Sequence, residues 1–427
     1  MLRERSCCLR RIAGGAWHQE MRFGRFINNK RVSAEKLIEG WSAPTRAAVR
    51  DLHVLAIQDS SDIKFATQEE NRRGLGMVGK GNAFGVVLHA MIAVDAQTGN
   101  CLGLAGGKIW TRKGAVKIPH SQRALTEKES YRWPATAAQA KDVLAEARTI
   151  TVIDDREGDF YAHWALTPAV GVHHLSRVMK DHALVKGGTL RQAVARVPVC
   201  AKAVIDVPKR LDRKARKAHL SMRYGQAEVK RPQNPGAKDL PESIKLAFVE
   251  VVEPYPPKGT APIHWLLLTT HAVASNADAC QIVAWYKQRW IIEQFFRTLK
   301  TQGLRVEDSQ LATAERLVKM TVIAARAAII VIQLVQARTA GSGLAARIAF
   351  SAEEVEALKA ISKRYAGTTE LQKNPHRTTS LAWAAWIVAR LGGWSGYASK
   401  RPPGPITLHH GLANFQKIFA GWSLKNV

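Results

Sequence analysis

Residues 284–300 read AWYKQRWIIEQFFRTLK and follow the period of an α-helix. At roughly 100° per residue, one arc of this helix carries the polar side chains Tyr286, Arg289, Glu293, Arg297 and Lys300. The neighbouring arc carries apolar side chains that can bury against a core: Trp285, Ile292, Phe295, Phe296 and Leu299. The pattern predicts one helix over residues 277–301. One side of it would pack against the core, and the other would carry one carboxylate among side chains that can bind phosphate. On its own, such a pattern is also typical of a surface ion pair of little energetic value.

The charge of the chain indicates a polyanionic partner. The 427 residues include 63 Lys and Arg but only 35 Asp and Glu, which gives a formal net charge of +28. Folding does not require such an excess, and nucleic acid is the commonest polyanion that a protein meets. A merely solubilising basic surface is the alternative.

Cysteine usage and hydropathy indicate the cellular compartment in which the protein acts. The five cysteines include no C-x2-C pair, which favours a reducing compartment and argues against structural zinc. The N-terminus has no apolar segment typical of a signal peptide. The longest apolar run, residues 320–335, contains Arg326 and predicts a buried helix, too short to span a bilayer. We therefore expect a cytoplasmic protein without a membrane partner.

The order of patterns along the chain predicts an α/β core with a mixed sheet. A short β-type run at residues 53–59 precedes a hairpin of two apolar strands, residues 84–94 and 101–110. A helix (135–148), a strand (149–153), a helix (160–166) and a strand (171–177) follow. This order is that of an RNase H-like core.

Three acids lie at positions where α/β folds commonly have their functional sites. Asp59 ends the first predicted strand, Asp155 follows the strand at residues 149–153, and Glu293 lies on the opening helix. Asp154 is the neighbouring alternative to Asp155 for the same role.

The glycine-rich stretch at residues 74–81 nearly matches a phosphate-binding loop, but it precedes a strand and has Gly81 where Ser or Thr would hold magnesium. We therefore predict a flexible loop there.

Composition divides the chain into four segments. Residues 1–52, with 11 basic and 5 acidic residues, predict a partly helical DNA-binding segment or a solvated basic tail. Residues 53–178 and 263–340 would form the core, and residues 179–262 a β-rich insertion with a basic face. The tail, residues 341–427, predicts a mainly helical region.

Three motifs resemble those of bacterial insertion-sequence transposases of the IS-four and Tn-five type. Tyr286-x2-Arg289-x3-Glu293-x6-Lys300 is similar to the Y-x2-R-x3-E-x6-K signature of that family. The run DREGD at residues 155–159 resembles its second catalytic segment, and AIQDSS at residues 56–61 resembles its first. The motifs occur in the order of the family, with room for its β insertion, and the resemblance covers roughly residues 17–427.

The resemblance implies a DDE transposase with Asp59, Asp155 and Glu293 as ligands of two Mg²⁺ or Mn²⁺ ions. Two-metal phosphoryl transfer to DNA needs oxygen ligands of this kind. It also implies a set of DNA-binding residues, which are Tyr286, Arg289, Lys300, Arg297, Arg177 and Trp265, the last for a flipped base. The partners implied are the terminal inverted repeats and target DNA, bound by a homodimer that forms through the C-terminal region.

The resemblance further implies cut-and-paste chemistry: cleavage at the transposon end, a hairpin intermediate, and attack of the freed 3′-hydroxyl on target DNA. Two other readings remain open. The segment before Asp59 is shorter than in the family, which is consistent with a truncated, inactive remnant that still dimerises or binds DNA non-specifically. A general RNase H-like nuclease would share the three acids without needing Tyr286 or Lys300.

Overall fold

A large mixed β-sheet with helices on both faces forms the centre of the protein. The structure, a computed structural model, describes all residues except 67–72, 80–82, 113, 115–117, 120–121, 208–214, 301–302, 339–342, 366–368, 370–372, 398–401 and 426–427. The strands are β1 (His53–Phe65), β2 (Gly76–Val78), β3 (Ala83–Asp95), β4 (Cys101–Trp110), β5 (Thr149–Asp154), β6 (Val172–Arg177), β7 (Ala201–Val207), β8 (Arg216–Lys230), β9 (Ser243–Val252) and β10 (His264–Thr269). The helices are α1 (Leu9–Ile12), α2 (Trp17–Asn28), α3 (Ala34–Ala48), α4 (Arg132–Val143), α5 (Tyr161–Leu166), α6 (Leu190–Arg196), α7 (Asn276–Lys287), α8 (Trp290–Leu299), α9 (Ala314–Ala337), α10 (Ala352–Tyr365), α11 (Leu381–Leu391) and α12 (Pro405–Lys425).

The ten strands pair in a single sheet. Its order is β2-β3-β1-β5-β6-β10-β9-β8-β7, and β4 pairs with β3. β1 runs parallel to β5, and β5 runs parallel to β6, while the other pairs are antiparallel. The predicted mixed α/β core is therefore confirmed, and the β-rich insertion continues the core sheet through the β10–β9 pair.

Alternation along β1 divides the core into two layers. Leu55 and Ile57 pack in the apolar cluster that includes α7, α8 and α9, whereas Val54 and Ala56 pack with α4 on the opposite face. Successive side chains of a strand point to opposite faces, so this pattern fixes the face of every residue in β1. The face toward α8 is called the α8 face below, and the other is called the α4 face.

Several predicted boundaries were wrong. The expected single helix over residues 277–301 is two helices, since the chain leaves α-helical bonding at Gln288 and Arg289, where the backbone N–H groups bond three residues back. β1 continues to Phe65, beyond Asp59. The helical part of the N-terminal segment includes α3, which has Pro44 inside it. The glycine-rich stretch, expected to be a loop, contains the short strand β2, and two of its residues, Lys80 and Gly81, lie outside the described residues.

The apolar helix α9 passes through the protein core, as expected. It has 24 residues and is long and apolar enough to cross a membrane by length and composition, so the expectation that the run was too short was wrong. However, 72% of its most apolar window is buried inside the protein. The helices α10, α11 and α12 pack on the C-terminal part of α9 in a separate apolar cluster, which confirms the predicted helical C-terminal region.

Candidate active site

Strand pairing places Asp59 and Asp155 on the same face of neighbouring strands. Ile57 pairs with Ile153 across the parallel strands β1 and β5, and the two aspartates lie two residues farther along their chains. Residues two apart in an extended chain share a face. Asp59 therefore follows Ile57 on the α8 face, and Asp155 stands beside it, directly after β5.

Arg289 links the first aspartate to the glutamate on α8. Its Nη2 donates to Oε1 of Glu293 at 2.5 Å, and its Nη1 lies 3.6 Å from Oδ2 of Asp59. Glu293 lies in the first turn of α8, and Arg289 lies at the junction with α7. The break between α7 and α8 thus sets one guanidinium group between acids that are far apart in sequence.

Burial raises the pKa values of both aspartates. The pKa of Asp59 rises to about 7, because burial and then the charge of Asp155 disfavour its ionised form more than the Ser60 N–H and Arg289 favour it. Burial also raises the pKa of Asp155, against the hydrogen bond that its Oδ1 accepts from the Glu157 N–H at 2.7 Å. A bound cation would favour the ionised forms of these two aspartates, which burial disfavours.

The donor set fits a divalent cation. Mg²⁺ and Mn²⁺ are held by carboxylate oxygens, which Asp59, Asp155 and Glu293 supply. A positive group, the Arg289 guanidinium, already lies between Asp59 and Glu293. These three acids are the residues that could hold such an ion.

An aromatic pair stands next to the acids. The rings of Trp265 and Tyr286 meet edge to face with centroids 5.5 Å apart, and Tyr286 is only 4% exposed. Burial raises the pKa of the Tyr286 hydroxyl to about 12, although Arg289 and Arg177 oppose this. The Nη2 of Arg177 donates to the carbonyl of His264, which fixes it beside β10.

The remaining predicted residues lie at different distances from this cluster. Lys300 Nζ donates to Oγ of Ser61 at 2.8 Å, two residues after Asp59, and burial lowers the pKa of Lys300. Arg297 is exposed on α8. The structure thus brings together Asp59, Asp155, Arg289 and Glu293, places Lys300 at the β1 side, and leaves Arg297 at the surface.

Arg132, at the start of α4, also reaches the site, and we did not predict it. Its Nε donates to Oγ of Ser60 and its Nη2 to Oε2 of Glu157, both at 2.8 Å. Only 10% of its side chain is exposed. Glu157 belongs to the DREGD run, but no periodicity or spacing in the sequence marked Arg132.

Asp154 points away from these acids. It is fully buried on the α4 face, where its Oδ2 contacts Nε2 of both His163, at 2.8 Å, and His174. The three ligand atoms lie within 4.8 Å of one another. Ligands on one tetrahedral zinc stand roughly 3.3 Å apart for metal–ligand bonds of about 2.0 Å, so these closer contacts fit hydrogen bonds better than a metal centre.

A cavity of about 840 Å³ opens beside the turn that follows Asp155. It lies between this turn, the segment before α4 and the β-rich insertion. Its lining includes the basic residues Arg156, Lys180, Lys230 and Arg231. Basic groups of this kind suit the phosphates of a nucleic acid.

Comparison with known proteins yields one family match. Residues 134–330 match the family model described as transposase DDE domain. The matched range contains Asp155 and Glu293, and it supports a DDE transposase.

Among solved structures, the chain is similar to that described as a cryo-EM structure of piggyBac transposase synaptic complex with hairpin DNA. The identity is 9% and the TM-score is 0.33, with 76% of this chain and 65% of that chain covered. This chain therefore spans about two thirds of that relative, and a similarity of this degree carries no argument about function.

Proposed function

We propose that this protein is a DDE transposase that cleaves and joins DNA at the ends of an insertion sequence. The observation that carries the proposal is the assembly of Asp59 from β1, Asp155 from the end of β5 and Glu293 from α8 around Arg289. The family match over residues 134–330 supports the same class. The residue motifs favour the IS-four and Tn-five type within it.

The strand pattern supports an RNase H-like core. Five strands lie in the order β4-β3-β1-β5-β6, with β1 antiparallel to β3 and parallel to β5. Asp155 directly follows β5, and functional sites in open α/β sheets are common at the ends of strands. Residues 53–178 and 263–340 would be the catalytic core, residues 179–262 its insertion, residues 1–52 a DNA-contacting segment and residues 341–427 the dimerisation region.

The acids would hold two divalent cations, Mg²⁺ or Mn²⁺. When bound, these ions would assist an oxygen nucleophile and stabilise the leaving oxygen in an in-line displacement at phosphorus. Asp59 and Asp155, whose ionised forms repel each other, would be stabilised by the bound charge.

The basic groups around the acids would bind and orient the DNA. Arg289 is suited to a bidentate phosphate clamp once its carboxylate partners turn to cations, and Lys300 supplies a point charge. Arg177, Arg297 and Trp265 would contact the strand next to the cleaved bond. Tyr286 is buried against Trp265, so its ring would position the tryptophan and Arg289.

The proposed substrates are the terminal inverted repeats and target DNA, bound by a homodimer in the bacterial cytoplasm. The reaction would be cut-and-paste: hydrolysis at the transposon end, formation and opening of a hairpin, and joining of the freed 3′-hydroxyl to the target. A net charge of +28 supports a DNA partner.

The test uses DNA from the flanks of the gene, which should contain the repeat ends. We expect nicks at those ends that require Mg²⁺ or Mn²⁺ and that disappear with Glu293→Gln. The matched control Glu356→Gln changes an exposed glutamate on α10 and should cut normally. Binding without cleavage would indicate a non-catalytic DNA-binding remnant, and cleavage at random sites would indicate a general nuclease.

A further inference from the structure

A continuous chain of buried polar side chains crosses the α4 face of the sheet. Its links are hydrogen bonds from Arg132 to Ser60 (2.8 Å), Ser60 to His89 (2.9 Å) and His89 to Gln58 (3.0 Å), followed by His163 and Asp154, with His174 also bound to Asp154. The Nε2 of His163 lies 3.2 Å from Nε2 of Gln58 and 2.8 Å from Oδ2 of Asp154, so this one ring nitrogen contacts both β1 and β5 and hydrogen-bonds with one of the two partners at a time. We call these seven residues the buried network. Five of them, Gln58, His89, His163, Asp154 and His174, are at most 1% exposed.

The buried network touches both strands that carry the proposed catalytic aspartates. Gln58 and Ser60 flank Asp59 in β1, and Asp154 immediately precedes Asp155. Because side chains alternate, Gln58 and Asp154 point to the α4 face while the aspartates next to them point to the α8 face. The network thus joins β1 to β5 from behind the acids, and it includes α5 through His163 and β6 through His174.

Tight packing fixes the geometry at the Asp154 end. A Cβ built on Gly158 would lie 2.5 Å from Cβ of Asp154, so no side chain fits there. Trp133 lies edge to face on His89 at 4.8 Å, and Phe160 stacks on His163 at 5.4 Å. Rings held in this way have little freedom to rotate, so their positions against β1 and β5 are fixed.

Burying so many polar side chains lowers the stability of the folded protein, which suggests that the network has a function besides packing. An ordinary sheet would place apolar residues at these positions, and polar groups in a dry interior lower stability unless every partner is in place. On the opposite face, two carboxylates that repel each other stand side by side. The backbone pairing of β1 with β5 ends at Ile57 and Ile153, two residues before the acids. Beyond that point, the directional contacts of the buried network hold the two strands at a fixed separation more rigidly than apolar packing would.

We propose that the buried network is a positioning device that sets the separation of Asp59 and Asp155, and thereby the affinity of the acids for divalent cations. This inference rests on the proposed function of those acids. The residues His163, Gln58 and His89 act through the backbone of β1 and β5, and they do not touch substrate. A single break in the network would loosen the cation site without removing a ligand.

The experiment measures Mn²⁺ binding to the DNA-free protein by electron paramagnetic resonance, well below the unfolding temperature. The test variants are Gln58→Leu and His163→Phe, which keep size or ring shape but break the network. His409→Phe is the matched control, because His409 is a buried histidine on α12 with neither ring nitrogen hydrogen-bonded within the described residues. His163→Gln retains an N–H near the position of Nε2 and serves as the conservative variant.

We expect Gln58→Leu and His163→Phe to weaken Mn²⁺ binding at least about tenfold, a change of about 1.4 kcal/mol. His409→Phe should bind as the wild type does, and His163→Gln should recover part of the lost affinity. Wild-type affinity in both test variants would overturn the inference, even if their melting temperatures fall, because the network would then be only structural.

Two further outcomes separate this inference from the function on which it rests. Asp155→Asn tests the acids themselves: if the wild type and Asp155→Asn bind Mn²⁺ equally, the proposed cation site is wrong and the inference fails with it. A metal ion that co-purifies with the protein and is lost in His174→Gln, but kept in Asp155→Asn, would show that Asp154, His163 and His174 are ligands. That result would overturn the positioning role alone.

Discussion

The Nη1 of Arg289 lies 3.6 Å from Oδ2 of Asp59, across the boundary between α8 and β1. The same guanidinium group donates to Glu293, so the positive charge of Arg289 lies between an acid on β1 and an acid on α8. Its charge also lowers the pKa values of Asp59 and Asp155, against the effect of burial. Arg289 therefore favours the ionised forms of Asp59 and Asp155, the forms that bind a metal ion.

Removal of this guanidinium should move cation binding to higher pH. In Arg289→Ala the pKa of Asp59 rises above about 7, because the lowering influence of Arg289 is lost. We expect the pH of half-maximal Mn²⁺ binding to increase by about half a unit or more, measured by titration calorimetry from pH 5 to 9. Arg297→Ala, on the exposed side of α8, is the control, and an equal shift in that variant would contradict the role of Arg289.

The raised pKa of Asp59 predicts an inverse dependence of stability on pH. The folded protein binds the proton more tightly than the unfolded chain does, so the contribution of Asp59 to the free energy of unfolding falls as pH rises from about 4 to about 7. Asp59→Asn should raise the free energy of unfolding at pH 8 by about 1–4 kcal/mol and leave it nearly unchanged below pH 4. Urea unfolding in metal-free buffer measures this, and lower stability of the variant at pH 8 would contradict the burial of the charge.

Divalent cations should stabilise the folded protein through the three acids. A ligand present at 100 times its dissociation constant adds about 2.7 kcal/mol to the free energy of unfolding. We expect Mn²⁺ to raise the melting temperature of the wild type and of Glu356→Gln. The increase should disappear in Asp155→Asn and in Glu293→Gln. An undiminished increase in either site variant would assign the effect to other acids.

The N-terminal region should depend on one buried lysine. Nζ of Lys319 on α9 donates to the carbonyl groups of Ile27 and Asn29, at 3.2 and 3.1 Å, and to Glu315 at 2.6 Å. Lys319→Ala removes both bonds to the end of α2 and should cost about 1–3 kcal/mol of stability.

Limited proteolysis should then cut between α2 and α3 sooner in Lys319→Ala than in the wild type. Lys359→Ala, which changes a partly exposed lysine on α10, provides the control. Equal digestion rates in Lys319→Ala and Lys359→Ala would mean that apolar contacts alone keep α2 packed against α9.

Much of the core could be predicted from the sequence because local patterns determine it. The apolar runs predicted β3, β4 and β5 to within a few residues, and the motif spacing indicated the acids that the structure places near Arg289. The distinction between Asp154 and Asp155 is also visible in principle, since alternation from Ile153 puts them on opposite faces. The sequence alone does not show which of the two aspartates faces α8, because that depends on which helices cover each face of β5.

Other features depend on contacts between distant residues and carry no local signal. The break at Gln288 and Arg289 does not interrupt the helical periodicity, yet it determines where the guanidinium lies. Arg132 acquires its role only when Ser60 and Glu157 fold against it. The buried network has the same character, because isolated Gln and His residues in apolar runs do not reveal their partners.

The pairing of β6 with β10 has a consequence for synthesis on the ribosome. Arg177 and His264, bonded across these strands, are 87 residues apart in the chain. Contacts of such long range form late, since the intervening chain must first be made and its loop closed. The nascent protein therefore exposes the edge of β6 for several seconds at typical translation rates of about 5–20 residues per second. Slower folding at this edge would favour aggregation, and expression at low temperature should increase the soluble yield.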